Sequence, residues 1–424
     1  MKPTSLRGIA NTAASDKGYR FRNLFGLLNL GFLWWCWQFV NKRAAPGVDR
    51  EDARMYEANL LPNIEQLVEA VKTGWYRANL ILRRYIPKLN GKLRPLGIPT
   101  VADKLLQMGV AKILEAIYEA DFLGCSFGYR PGKGALDAVM ELSRTLQNGP
   151  YHYLVEADIK GFFDHIDHEQ LLAMLAERID DKPFLKLIRK WLKAGILEAD
   201  GQVIHPATGT PQGGIVSPIL ANLYLHHALD VWFEETVKAH CRGAAYLCRY
   251  ADDFVCAFED KTDAERFDRV LGKRLGRFGL ELAEDKTHLL RFSPVARRQS
   301  VAFEFLGFEF RWGVSRWRKP IIKRRTAAKK YRASLAKLKE WCQQHAHLPK
   351  RVLFAKLNVK LRGYYQYYGI RGNYERLSDF CHHAQRILFK TLNRRSQRRS
   401  YNWQGFRELL KLFPLLRPRI CHEF

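Results

Sequence analysis

Asp252 and Asp253 stand side by side in Tyr246-Leu-Cys-Arg-Tyr-Ala-Asp-Asp-Phe-Val-Cys-Ala-Phe258, between the apolar runs 244–250 and 254–258. β-Branched and aromatic residues around a polar centre predict a strand, a tight turn and a returning strand. Two adjacent carboxylates at a hairpin tip repel each other unless a cation sits there. Alone, the pair would read as a solvated turn. A third carboxylate changes that reading. Tyr151-His-Tyr-Leu-Val-Glu-Ala-Asp158 is an apolar run ending in an aspartate, which a strand would carry to its end. Two strand-borne aspartates that converge suit a pair of Mg²⁺ ions. Such a site can activate a 3′-hydroxyl and hold a triphosphate's leaving oxygens in an in-line displacement. Asp164 and Asp167 lie beyond the strand end and are expected as a turn and a helix start.

The elements that must position these carboxylates follow from punctuation and periodicity. Residues 1–20 read as a loose polar lead, and a helix over 24–41 stops before Pro46-Gly47. Residues 85–99 read as a hairpin about Asn90-Gly91, with Lys88 and Arg94 on opposite arms, followed by a helix over 102–120. Ser126-Phe-Gly-Tyr-Arg-Pro-Gly-Lys-Gly134 is a loop before a helix over 135–146, and it matches neither Walker nor dinucleotide spacing. Thr208-Gly-Thr-Pro-Gln-Gly-Gly214 precedes a helix expected to open with Ser217 as cap and Pro218 in its first turn. A helix over 262–278 leads to Lys286 in a turn. Phe305-Leu306-Gly307-Phe308 sits in an alternating stretch, 301–310, read as a hairpin strand. Three helices, 327–344, 350–368 and 374–394, complete the chain.

Charge is unevenly spread. The 424 residues carry a formal net charge of +27. Residues 311–424 hold 29 Lys and Arg against 5 Asp and Glu, so the C-terminal quarter carries nearly all the excess. Charge of one sign on helices repels itself and calls for a polyanion. Lys323, Arg324, Arg325, Lys329, Lys330, Arg362, Arg394, Arg395, Arg398 and Arg399 are the candidate phosphate contacts, with Tyr364 and Tyr365 as faces for unpaired bases. The eight cysteines show no Cys-x-x-Cys pair and no zinc spacing, which fits a reducing compartment. The apolar stretch 24–40 is interrupted by Gly26, Asn29, Gly31 and Gln38, so no membrane partner is expected.

Taken together, Tyr250-Ala-Asp-Asp253, Pro211-Gln-Gly213 and the Lys88/Arg94 hairpin resemble reverse transcriptases. Ala45-Pro-Gly-Val-Asp49, the 126–134 loop and the run after Gln212 resemble the group II intron-encoded form, over about residues 40–420. The resemblance implies an α/β right-hand fold: fingers and palm, with an antiparallel palm sheet and catalytic hairpin, then an all-α thumb or maturase domain. The expected boundaries are a helical lead at 1–40, fingers and palm at 41–310, and a basic helical domain at 311–424. It implies that Asp158, Asp252 and the Ile159 carbonyl hold two Mg²⁺ ions, with Asp253 in support. Lys88, Arg94, Phe163 and Gln212 are then nucleotide contacts, Phe163 excluding a ribose 2′-hydroxyl. Lys286 is the candidate general acid, and Phe305, Leu306 and Gly307 form the primer grip. The partners implied are group II intron RNA, an RNA template, a DNA primer, dNTPs and target DNA, in the bacterial cytoplasm or nucleoid. No HNH endonuclease with paired cysteines is expected. A domesticated enzyme of defence or repair, and a splicing cofactor with a vestigial polymerase, remain alternatives.

Overall fold

Leu6, Ile9 and Ala13 recur at helical spacing, and their burial fixes one face of the first helix, α1 (Thr4–Ser15). The expected loose lead is therefore helical: three apolar residues outweigh a polar composition. The computed structural model describes residues 4–87, 91, 93–295, 301–394 and 400–423. Lys88, Asn90, Arg395, Arg398 and Arg399 lie outside the described residues. Residues 1–138 with 155–289 form one compact unit, and 139–154 with 290–424 a second. These boundaries lie elsewhere than at 40/41 and 310/311.

In the first unit the helix expected over 24–41 is shorter. A 3₁₀ turn at Phe25–Leu27 precedes α2 (Leu30–Trp37), whose start is fixed by the Asn29 side chain accepting from the Phe32 N–H. Helices α3 (Ala53–Ala58) and α4 (Leu60–Lys72) follow, then strands β1 (Ile81–Pro87) and β2 (Leu93–Ile98), antiparallel from Leu82↔Ile98 to Pro87↔Leu93. α5 (Val101–Tyr118) is capped by Thr100 and buried on most of its circumference. The chain then passes through α6 (Ala135–Asn148) and β3 (Tyr153–Asp158), each divided between the units. α7 (His168–Arg178) and α8 (Lys182–Leu192) start at Asp167 and Asp181, whose carboxylates cap them. The two-residue strands β4 (Ile196–Leu197) and β5 (Val203–Ile204) extend the first hairpin into a sheet ordered β2-β1-β4-β5.

α9 (Ser217–Leu225) is entered through Val216, with Ser217 inside the helix rather than at its cap. The Ser217 hydroxyl instead donates to the Pro211 carbonyl and accepts from Thr210 Oγ1 at 2.8 Å. The helix runs on through two π-helical segments, His226–Asp230 and Trp232–Val237, and closes in α10 (Lys238–His240). β6 (Ala245–Tyr250) and β7 (Asp253–Phe258) form the expected hairpin. α11 (Lys261–Gly276) follows and, after a 3₁₀ turn at Glu284–Lys286, β8 (His288–Arg291). The sheet order β6-β7-β3-β8 sets the acidic hairpin beside the strand that ends in Asp158.

The second unit opens with β9 (Phe303–Phe305), β10 (Phe308–Val314) and β11 (Pro320–Thr326), an antiparallel sheet. Residues 311–326 are thus strand and turn, not part of an all-α domain. Ile321, Ile322 and Thr326 are β-branched and pair against Phe308–Val314. Lys323, Arg324 and Arg325 lie on that strand. α12 (Ala328–Gln344), α13 (Lys350–Tyr368), α14 (Tyr374–Leu392) and α15 (Trp403–Leu412) complete the unit around one apolar core.

Candidate active site

The hairpin register ends at Tyr250↔Asp253, so Ala251 and Asp252 form a two-residue tip. Ala251 has φ +56°, a left-handed conformation that a residue with a Cβ adopts only at some cost. Two contacts hold it there. The Arg249 guanidinium donates to the Ala251 carbonyl at 3.0 Å. Gly128 lies against the Ala251 amide so closely that a Cβ on it would come within 2.4 Å of that nitrogen. The chain at the start of the 126–134 loop pairs along β6: Phe127 N–H donates to the Arg249 carbonyl at 2.9 Å, and Arg249 N–H to the Cys125 carbonyl at 2.8 Å.

Arg249 is wholly buried. Its guanidinium donates to both Asp230 oxygens at 2.7 and 2.5 Å, to Asn222 Oδ1 at 3.0 Å and to Ser126 Oγ at 2.8 Å, besides the Ala251 carbonyl. Burial opposes its charge, but the Asp230 carboxylate outweighs that and holds it protonated. Its anchoring role is not legible in the local sequence. An arginine inside an apolar strand, one turn before two aspartates, was the available signal, because a guanidinium there must find carboxylate and carbonyl partners.

Asp158 sits at the end of β3 and Asp252 at the hairpin tip, each partly buried. Burial first, and then the Asp158 charge, raises the Asp252 carboxyl above its ordinary value, while Arg94 and Lys286 act in the opposite sense. Lys286, in the 3₁₀ turn before β8, hydrogen-bonds the Asp158 carboxylate, and that bond raises its ammonium pKa. The Asp158 carbonyl accepts from the Ala283 N–H at 2.9 Å, and Lys160 N–H donates to the Glu281 carbonyl at 2.8 Å. Between them Ile159 faces Leu282 as a bridge pair. The antiparallel alternation therefore turns the Ile159 carbonyl away from that segment.

The nucleotide-contact candidates are carried by loops stitched to this centre. Thr210 N–H donates to the Phe163 carbonyl at 2.7 Å, Gly209 N–H to the Ile166 carbonyl at 2.8 Å, and the Gln212 carbonyl accepts from Gly97 N–H at 2.7 Å. The glycines permit this approach: a Cβ on Gly213, at φ +126°, would fall 2.3 Å from the Gly97 carbonyl oxygen. Phe163 is half-buried, its ring edge-on to Tyr129 at 6.5 Å between centroids. Tyr129, at φ +58°, feels the Asp252 charge and so belongs to the site, a role not legible in the 126–134 motif. Arg94 is exposed on β2.

In the second unit, Leu306 and Gly307, at φ +50° and +84°, form the two-residue turn joining β9 to β10 beside the buried Phe305. Tyr367 Oη donates to the Leu306 carbonyl at 2.8 Å, and Ala327 N–H to the Gly307 carbonyl at 3.0 Å. Lys323, Lys329, Lys330, Arg362 and Arg394 are exposed. Arg325 is already paired with Glu309 at 2.7 Å, and Arg324 is half-buried. Tyr364 and Tyr365, expected as faces for bases, are instead buried in the helical core, Tyr364 stacking on Phe380 at 3.7 Å, so neither offers such a face.

Among the described residues no three His, Cys, Asp or Glu side chains converge into a metal cage. The donor set still fits a hard cation: two carboxylates, one of them disfavoured as an anion by burial and by its neighbour, beside an outward-turned carbonyl. No helix among the described residues is long and apolar enough to cross a membrane.

Residues 86–310 match the family described as reverse transcriptase (RNA-dependent DNA polymerase). The chain is similar to the group II intron-encoded protein LtrA of Lactococcus lactis subsp. cremoris, 46% identical over 164 residues, or 38% of this chain and 27% of that protein. Protein YkfC of Escherichia coli (strain K12) is 30% identical over 319 residues, or 67% of this chain and 83% of its own. An uncharacterized 91 kDa protein in the cob intron of Schizosaccharomyces pombe is 40% identical over 171 residues, or 40% of this chain and 21% of its own. The chain thus spans only about a quarter of the length of the Lactococcus relative.

Proposed function

The chain belongs to the reverse transcriptase (RNA-dependent DNA polymerase) family, as a group II intron reverse transcriptase/maturase, and from that premise we propose that it copies RNA into DNA and binds intron RNA to assist splicing and retrohoming. The observation that carries this reading is Asp252 on a two-residue hairpin tip, feeling the charge of Asp158 at the end of the neighbouring strand. Asp158, Asp252 and the Ile159 carbonyl would hold two Mg²⁺ ions, with Asp253 adding negative charge. When bound, such ions activate a 3′-hydroxyl and neutralise a leaving pyrophosphate.

The chain's own residues do the remaining work. Arg94, joined by Lys88, presents charge to the triphosphate. Phe163 bars a ribose 2′-hydroxyl, and Gln212 lines the nucleotide. Lys286, which hydrogen-bonds Asp158, carries the proton that departing pyrophosphate takes up. Phe305, Leu306 and Gly307 seat the primer end. The first unit serves as fingers and palm, and the basic stretch 311–424 of the second takes intron RNA and target DNA. The setting is the cytoplasm, where template, primer and dNTPs meet.

The test is primer extension on RNA with dNTPs and Mg²⁺. Asp252→Asn should lower the rate by about 10²-fold or more, as losses of transition-state electrostatics do, with RNA affinity unchanged. Comparable extension by the variant sinks the assignment.

A further inference from the structure

A concave site apart from the catalytic centre lies in the first unit, built by the end of α4, one face of α8 and the 3₁₀ turn at Phe25–Leu27. It is a cavity of about 360 Å³ with Phe25, Val71, Tyr76 and Leu187 as its apolar lining and Lys72, Lys182, Lys186 and Lys190 around it. Lys182, Lys186 and Lys190 follow at four-residue spacing on one helix, an arrangement of like charges that weakens the helix carrying it. Among the described residues none of the four lysines pairs with a carboxylate, whereas Arg189 on the same helix pairs with Glu169 at 2.6 Å. The nearest acid in sequence, Asp181, spends its oxygens on the Phe184 and Phe25 N–H groups at 3.0 and 2.9 Å. Lys190 donates to the Tyr76 carbonyl at 2.5 Å, which fixes one wall. Trp75, 80% exposed, stands between the lining residues Gly74 and Tyr76.

We propose that this cavity binds a nucleoside phosphate. Inorganic phosphate would leave the apolar floor uncovered, and a fatty acid would answer four ammonium groups with one charge. A nucleotide supplies both parts: a flat base for Phe25, Tyr76 and Leu187, and phosphate for the lysines. Its source is a free nucleotide or a nucleotide of an RNA strand, and Trp75 offers a neighbouring base a face on which to stack. The site uses none of the residues assigned to polymerisation, so its failure would leave that function untouched.

The test is photolabelling of the full chain with two probes, 8-azidoadenosine 5′-monophosphate and a ten-nucleotide RNA carrying one 4-thiouridine, the labelled residues being located by mass spectrometry. Label is expected within 71–77 or 182–190. Labelling by the free probe identifies a nucleotide site, and labelling by the RNA alone a strand site; either supports the shared chemistry. The variant K72Q/K182Q/K186Q, which spares Lys190 and its backbone bond, should lose at least tenfold of the label there and keep label elsewhere. The matching triple arginine variant should restore it. No label in these stretches from either probe, undiminished label in the glutamine variant, or displacement by poly-L-glutamate as effective as by RNA would each overturn the proposal.

Discussion

At the scale of single residues, Asp252 and Arg249 show opposite solutions to burying a charge. Among the described residues Asp252 forms no ion pair, and its pKa rises through burial and through Asp158. A carboxyl raised on folding favours its neutral form, so its contribution to stability is present below its unfolded pKa and is lost as pH climbs through the folded value. Without divalent ions at neutral pH, Asp252→Asn should therefore raise the melting temperature, although with Mg²⁺ it slows extension. The gain should shrink as pH falls through the raised value; a lower melting temperature would contradict this. Arg249 has its charge answered by Asp230 at 2.5 Å. Arg249→Met strands that carboxylate and should destabilise the protein by about 3–5 kcal/mol. The double variant R249M/D230L should regain most of the stability in chemical denaturation but little of the extension rate, since the Ala251 carbonyl stays unanchored. Full recovery of extension would reduce Arg249 to packing.

At the scale of elements, the catalytic turn is held by pieces distant in sequence. The 126–134 loop pairs with β6, the buried length of α9 and its π-helical extension supply Asn222 and Asp230, and the 208–214 loop ties the segment after β3 to β2. Gly128 is where this support is tightest. Gly128→Ala puts a Cβ where only 2.4 Å separates it from the Ala251 nitrogen, and backbone must move. Displacing reacting groups by about 1 Å can cost 10²-fold in rate, so extension should fall by about that factor while RNA affinity holds. An unchanged rate would mean that the turn tolerates the shift.

At the scale of the whole molecule, function divides with charge. Residues 1–310 hold 41 basic and 38 acidic residues, whereas the remaining quarter is almost uniformly basic. RNA affinity should therefore fall steeply with salt through counterion release. Replacing Lys323, Lys329, Lys330 and Arg362 with Gln removes exposed cations that have no carboxylate partner among the described residues. Each lost phosphate contact lowers the slope of log K against log salt by about 0.7–0.9, so two to four contacts amount to roughly 1.4–3.6. Extension of a short pre-annealed primer at saturating concentration should change much less. An unaltered slope would place intron recognition on other residues.

Much of the centre was legible because its chemistry is local. Alternation around Asp252-Asp253 determined the hairpin, the apolar run to Asp158 determined the strand, and the glycines of 208–214 announced close backbone approach. What failed did so for physical reasons. α1 rests on three apolar residues whose burial depends on partners far along the chain. Tyr364 and Tyr365 look like base platforms beside Arg362, yet helical periodicity turns them inward onto Phe380 and their neighbours. Lys323 to Arg325 fall in a stretch expected as a basic helical domain, but the β-branched residues around them found a strand to pair with. Arg249 was hidden for the same reason: its partners Asp230, Asn222 and Ser126 are 19 to 123 residues away. Sequence determined which residues could do chemistry, because side-chain type and spacing are local properties. Only the tertiary structure decided which charges are answered and which stay available, because burial and pairing depend on what the fold brings near.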